Sequence, residues 1–198
     1  MTAHPWLIHL RAHRALKALG IALAALIAIY LLGEDHTFHS WVSGGTTPLG
    51  RMLTFCIPLT LLSVMAPREE KDYYGKAPAG MLLTVGCGIA GATAALTGVL
   101  VLLTHDSAGL SLLRLHVAWL ALGIVSAYCF GARLMWALPL TLVFLSAAFA
   151  PDRESTWNLV QSRSNSPSLW LIASGMCVAA GLCAALYCRG IRPRYLKR

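Results

Sequence analysis

Apolar residues in this chain gather into six long runs, at 15–33, 49–66, 80–104, 110–131, 134–150 and 169–187, and the polar residues collect between them. All eight acidic side chains fall in the intervening stretches. Each run has about the 17 to 25 residues that a helix needs to cross the hydrocarbon core of a bilayer. In lipid every backbone polar group must be satisfied internally, so only helices or closed barrels span it, and continuous runs without alternation select helices. The expected fold is all-α: a single transmembrane domain over 1–198, with six transmembrane helices.

Composition supports that reading. Only 12% of the residues are charged, against about 25% in ordinary soluble domains, and mean hydropathy is +0.65. The longest polar connection, 151–168, is too short to bury a core of its own. The net charge of +8 is spread as a topology signal. With the N-terminus cytoplasmic, the inner side holds Arg11, Arg14, Lys17, Arg68, Lys71, Lys76, Arg133 and the basic residues from Arg189 to Arg198, against Glu69, Glu70 and Asp72. Arg51, Arg114, Arg153 and Arg163 fall outside with the other acids. This is the positive-inside pattern, and an even number of spans returns the C-terminus to the cytoplasm. The expected location is the cell membrane, multi-pass. Basic flanks facing anionic lipid account for the charge without a nucleic-acid partner.

Three polar stretches carry more detail. Residues 1–14 set Trp6, Leu7, Ile8 and Leu10 among His and Arg, the pattern of an interfacial helix rather than a cleaved leader. Residues 67–78 begin with Pro67, place Glu69 and Glu70 where a helix N-terminus favours negative charge, and end with Gly75 and Pro78. They read either as a solvated turn or as a short inner helix. In the second case Arg68, Glu69, Glu70, Lys71, Asp72, Tyr73 and Tyr74 form a docking element for a cytosolic partner. Residues 151–168 form an outer re-entrant-type loop, in which Trp157, Leu159 and Val160 are expected to form a short helix dipping into the interface.

No carboxylate lies within a run, which disfavours ion-coupled transport. Arg114 and His116 stand out as ionisable groups inside a span. They read as an anion or headgroup contact, as a haem or metal site with His105, or as a snorkelling arginine and an interfacial imidazole beside Trp119. With Trp157 and Asn158 they are the candidates for a substrate path or outer gate. His36 and His39 lack convincing partners for a metal, and no metal or cofactor is expected. The six cysteines lie in or at the edge of runs without metal spacing and read as packing residues. Gly86-Cys87-Gly88-Ile89-Ala90-Gly91 matches a dinucleotide fingerprint by letter only, since it sits inside an apolar run. With Ala92, Ala95 and Gly98 it reads as a small-residue face for intramolecular helix packing, as do Ala179, Ala180, Gly181, Ala184 and Ala185.

The inner segment with Glu69, Glu70, Asp72 and Gly75, the tight turn Gly131-Ala132-Arg133 and the outer segment 152–159 together resemble the permease subunit of an ABC-2-type ATP-binding cassette transporter. The stretch from Phe130-Gly131 to Trp136 and Pro139 is similar to the fifth span of small actinobacterial permease-like proteins. The resemblance implies a non-enzymatic transmembrane subunit that exports an amphipathic or apolar compound. It implies two kinds of partner, cytosolic ATP-binding cassette ATPase subunits and a second permease copy or homologue. The ATPase belongs on other chains, because no Walker motif occurs here. A structural or assembly subunit, a haem-binding subunit of a membrane complex and an intramembrane enzyme stand as the alternatives, although clustered catalytic residues are lacking.

Overall fold

The structure is a computed structural model and describes residues 15–32, 36–40, 42, 46–63, 91–92, 95, 97–99, 102, 109–149, 159–160, 162 and 166–188. These residues are mostly helical. Helix α1 (Ala15–Leu32) leads into strands β1 (Thr37–His39) and β2 (Thr46–Pro48), followed by α2 (Leu49–Leu53) and α3 (Cys56–Ser63). Then come α4 (Gly109–Phe130), a 3-10 turn (Ala132–Leu134), α5 (Ala137–Phe149) and α6 (Pro167–Cys188). The described residues of the third apolar run are also helical.

Helices α4 and α6 have 22 residues each. At about 1.5 Å rise per residue they extend about 33 Å. They are the two helices, among the described residues, that are long and apolar enough to cross a membrane. The apolar stretches Lys17–Ile29, Leu49–Thr60 and Ala137–Phe149 are shorter.

The second run departs from the continuous helix expected. It breaks at Thr54 and Phe55 into α2 and α3. Pro58 supplies the reason, because it has no N–H to donate to the carbonyl of Thr54 four residues back and its ring crowds that carbonyl. Pro139 acts in the same way toward Met135, so α5 starts only at Ala137.

The all-α expectation also misses a small antiparallel hairpin. Thr37, Phe38 and His39 pair with Pro48, Thr47 and Thr46. The amide of Leu49 donates to the carbonyl of His36 (2.8 Å), which sets α2 directly on the hairpin. Ser40 Oγ donates to the carbonyl of Ala148 (2.7 Å), tying the hairpin to the C-terminal end of α5.

At the opposite end of α4, Gly131 takes φ 90°, a left-handed conformation that glycine adopts without the steric cost of a side chain. The hydroxyl of buried Ser126 donates to the carbonyl of Leu134 (2.6 Å) and accepts from the amide of Leu138 (3.3 Å). One side chain thereby closes the turn and satisfies a donor in the first turn of α5.

Helix α4 is the centre of the bundle and packs on α6, α5 and α3, while α1 packs on α2 and α3. Its Leu112 joins Ala22, Leu26, Ile29 and Ile57. Its Leu115 and Trp119 join Val143 and Val160. Its Ala118 joins Leu159 and Leu169. Leu159 and Val160 therefore lie in a turn packed against the helices, not in the short interfacial helix expected of them. Helix α6 is the contrast, with 17% of its apolar window buried against 50% for α4. Its inward positions are Leu169, Ala173 and Ala180. That register turns Ala179, Gly181, Ala184 and Ala185 outward, and Gly91, Ala95 and Gly98 are exposed as well. Among the described residues of these two sets, the intramolecular packing role expected of them thus holds for Ala180 and the half-buried Ala92, while Gly86, Cys87, Gly88, Ile89 and Ala90 lie outside the described residues. Cys56, Cys129, Cys177 and Cys183 are free thiols.

Candidate functional site

The hairpin end of the bundle carries a buried polar cluster. Arg51 is the third residue of α2, placed there by the hairpin-to-helix junction, and Arg114 lies in the second turn of α4. Arg51 is 4% exposed and Arg114 0%. Both reach the same backbone oxygen: Arg51 Nη1 donates to the carbonyl of Ser162 at 3.2 Å, and Arg114 Nη2 donates to it at 2.9 Å. Arg51 Nη2 also donates to Ser111 Oγ (3.4 Å). Ser111 and Arg114 are three residues apart on α4 and share a face.

A second set of bonds holds α2 from behind. Trp119 Nε1 donates to Thr54 Oγ1 (3.0 Å), whose hydroxyl donates to the carbonyl of Arg51 (2.6 Å). Phe55 packs its ring edge-on against Trp119, with centroids 6.2 Å apart. Arg51 is thus fixed at its backbone by Thr54 and Trp119 and at its guanidinium by Ser111 and Ser162.

Convergence on one carbonyl keeps the two guanidiniums within the combined length of two hydrogen bonds. Like charges at about 6 Å repel by about 3 kcal/mol at an effective dielectric near 20. Charge-assisted hydrogen bonds of about 1.5 to 3 kcal/mol each offset this, and both side chains make further interactions as well. Chemically, the cluster presents two planar, fork-shaped donors suited to carboxylate or phosphate oxygens, surrounded by apolar packing.

The site differs from the sequence expectation in three ways. Arg114 does not snorkel, since no part of it is exposed and it bonds inward. His116 is likewise fully buried rather than interfacial. Arg114 and His116 are also not neighbours in space: two residues apart on a helix of 3.6 residues per turn, they point about 200° apart around the axis. His116 Nδ1 bonds the carbonyl of Leu112 (2.9 Å), while its Nε2 is buried and makes no hydrogen bond.

Trp157, Asn158, His105 and the docking candidates Arg68, Glu69, Glu70, Lys71, Asp72, Tyr73 and Tyr74 lie outside the described residues, as does segment 1–14. His36 and His39 are exposed beside and at the end of β1. Among the described residues there is no group of three or more His, Cys, Asp or Glu placed to hold a metal. Sequence reasoning missed Arg51, Thr54, Ser111 and Ser162. Arg51 carries a signal, an arginine within an apolar run, but the charge pattern counts it only among the outer-side charges. Ser162 contributes a carbonyl, which no side-chain pattern reveals. No protein-family model, no curated protein and no solved structure matches the chain.

Proposed function

We propose that this chain is the membrane-embedded permease subunit of an ATP-driven exporter of amphipathic compounds, with the negatively charged head of the cargo received by Arg51 and Arg114. The observation that carries the reading is the meeting of these two buried cations at the Ser162 carbonyl, inside a bundle whose outer surface is apolar at Leu171, Val178, Leu182, Ile27 and Phe144. An amphipathic anion needs that combination, a cationic seat for its head and lipid-facing surface for its tail.

In this reading the six apolar runs are six spans with both termini cytoplasmic, supported by the inner excess of basic residues. The chain pairs with a second permease copy or homologue. ATPase subunits on other chains dock on the inner segment 68–74, and their closure on ATP rocks the helices. The head of the cargo is exchanged at the hairpin end, where Arg51 and Arg114 meet the carbonyl of Ser162.

The test uses full-length protein in micelles with fluorescent phosphatidylglycerol and fluorescent phosphatidylcholine as probes. Wild type should bind the anionic lipid about tenfold more tightly, and Arg51→Met with Arg114→Met should abolish the preference. Equal binding of both lipids by wild type overturns the headgroup role. Reconstitution with the ATPase tests the other half: Tyr73→Ala with Tyr74→Ala should lose ATPase binding while insertion is kept, and full retention of binding refutes docking there.

A further inference from the structure

The imidazole of His116 belongs to no part of the arginine cluster. It has no exposed surface. A carbonyl oxygen only accepts hydrogen bonds, so the 2.9 Å contact with Leu112 places the proton on Nδ1. Nε2 then presents a lone pair, and no donor meets it. Leu112 and Leu120, one turn before and one turn after, pack with Ala22, Leu26, Ile29 and Ile57. His116 therefore sits on the stripe of α4 that meets α1 and α3, between leucines that join an aliphatic cluster to which Ala92 of the third run also belongs.

A fixed acceptor in an aliphatic seam discriminates among ligands. An anion is repelled by the lone pair and is better served by the guanidiniums on the other side of α4. An ammonium group would have to give up its hydration for a single acceptor, a large cost in apolar surroundings. A neutral hydroxyl satisfies Nε2 with one hydrogen bond and brings apolar bulk compatible with the aliphatic neighbours, which must part to admit it because His116 has no exposed surface. We propose that His116 Nε2 marks a second binding site, which takes a neutral, largely apolar alcohol. Its hydroxyl donates to Nε2 and its hydrocarbon lies along α1, α3 and α4. The outer face of α1 carries exposed Leu19, Leu23 and Ile27, so only one helix separates the seam from the surrounding lipid. This site rests on neither the arginine pair nor the transport reading.

The test labels full-length protein in micelles with a photoreactive diazirine derivative of hexadecanol or with the methyl ether of the same compound. Labelling of α1 and α4 peptides is normalised to labelling of lipid-exposed α6. Wild type should favour the alcohol about fivefold, the equivalent of one neutral hydrogen bond of about 1 kcal/mol. His116→Leu should equalise the two probes, and His116→Gln, which keeps an acceptor, should retain a preference. Equal labelling in wild type, or a preference that survives in His116→Leu, overturns the site. Without probe, His116→Leu should lose no more than the one neutral hydrogen bond that Nδ1 makes to the Leu112 carbonyl, because Nε2 has no donor to lose. A marked loss of stability would show that Nε2 is satisfied within the protein and refute the proposal.

Discussion

Replacing Thr54 with valine removes one hydroxyl and keeps the shape of the side chain, so it leaves no cavity at a position with no exposed surface. The hydroxyl accepts from Trp119 Nε1 and donates to the carbonyl of Arg51. That carbonyl keeps the Thr54 amide as a donor (3.3 Å), so the group left stranded is the indole N–H. A buried donor without an acceptor costs about 1 to 3 kcal/mol. Interhelical hydrogen bonds in membrane interiors couple by only about 0.6 kcal/mol on average, and at most about 1.7. The stranded donor is therefore the larger effect, and Thr54→Val should lose about 1 to 2 kcal/mol. Trp119→Phe removes the same bond together with ring volume packed against Phe55 and Val143. In its background Thr54→Val should cost about 1 kcal/mol less than it does alone. The assay is reversible unfolding of the four proteins of this cycle in mixed micelles, followed by far-ultraviolet circular dichroism, since six tryptophans blur a fluorescence signal. Thr54→Val within about 0.3 kcal/mol of wild type, or strict additivity of the two substitutions, refutes the claim that this bond anchors α2.

Three other perturbations probe other parts of the fold and site. Gly131→Ala forces a side chain into φ 90° and should lose about 1 to 2 kcal/mol in the same unfolding assay; unchanged stability would show that the turn has a different backbone. A Cβ at Gly123 would meet Leu62 Cδ1 at 2.7 Å and Leu59 Cδ2 at 2.9 Å, both flexible ends. Gly123→Ala should thus cost about 1 kcal/mol and Gly123→Val about 2 to 3, and equal effects would refute close contact between α3 and α4. Arg114→Lys keeps the charge but loses the planar fork, so its preference for phosphatidylglycerol over phosphatidylcholine should fall between wild type and Arg114→Met; behaviour identical to wild type would show that charge alone matters.

Much of the local structure was legible because its causes are local. The apolar runs mark α1, α4, α5 and α6 to within a few residues, since length and composition decide whether a segment can be helical in an apolar setting. Pro58 and Pro139 act just as locally, each removing a particular donor and crowding a particular carbonyl, but the continuous helix expected over residues 49–66 passes over Pro58. The hairpin was not legible, because a three-residue strand is stabilised by its partner and by its ties to α2 and α5 rather than by its own sequence.

The direction each helix faces was decided only by the tertiary structure. In a water-soluble bundle the inward face is apolar and the outward face polar, so periodicity reveals it. Here α1, α4, α5 and α6 are mostly apolar on both faces, and the pattern that would separate Trp119, buried in the core, from Leu171, exposed on α6, is missing from the sequence. The same loss of contrast hid the partners of Arg51 and Arg114: a charge inside an apolar run signals that something must satisfy it, but the carbonyl of Ser162 was brought there by packing between segments far apart in the chain.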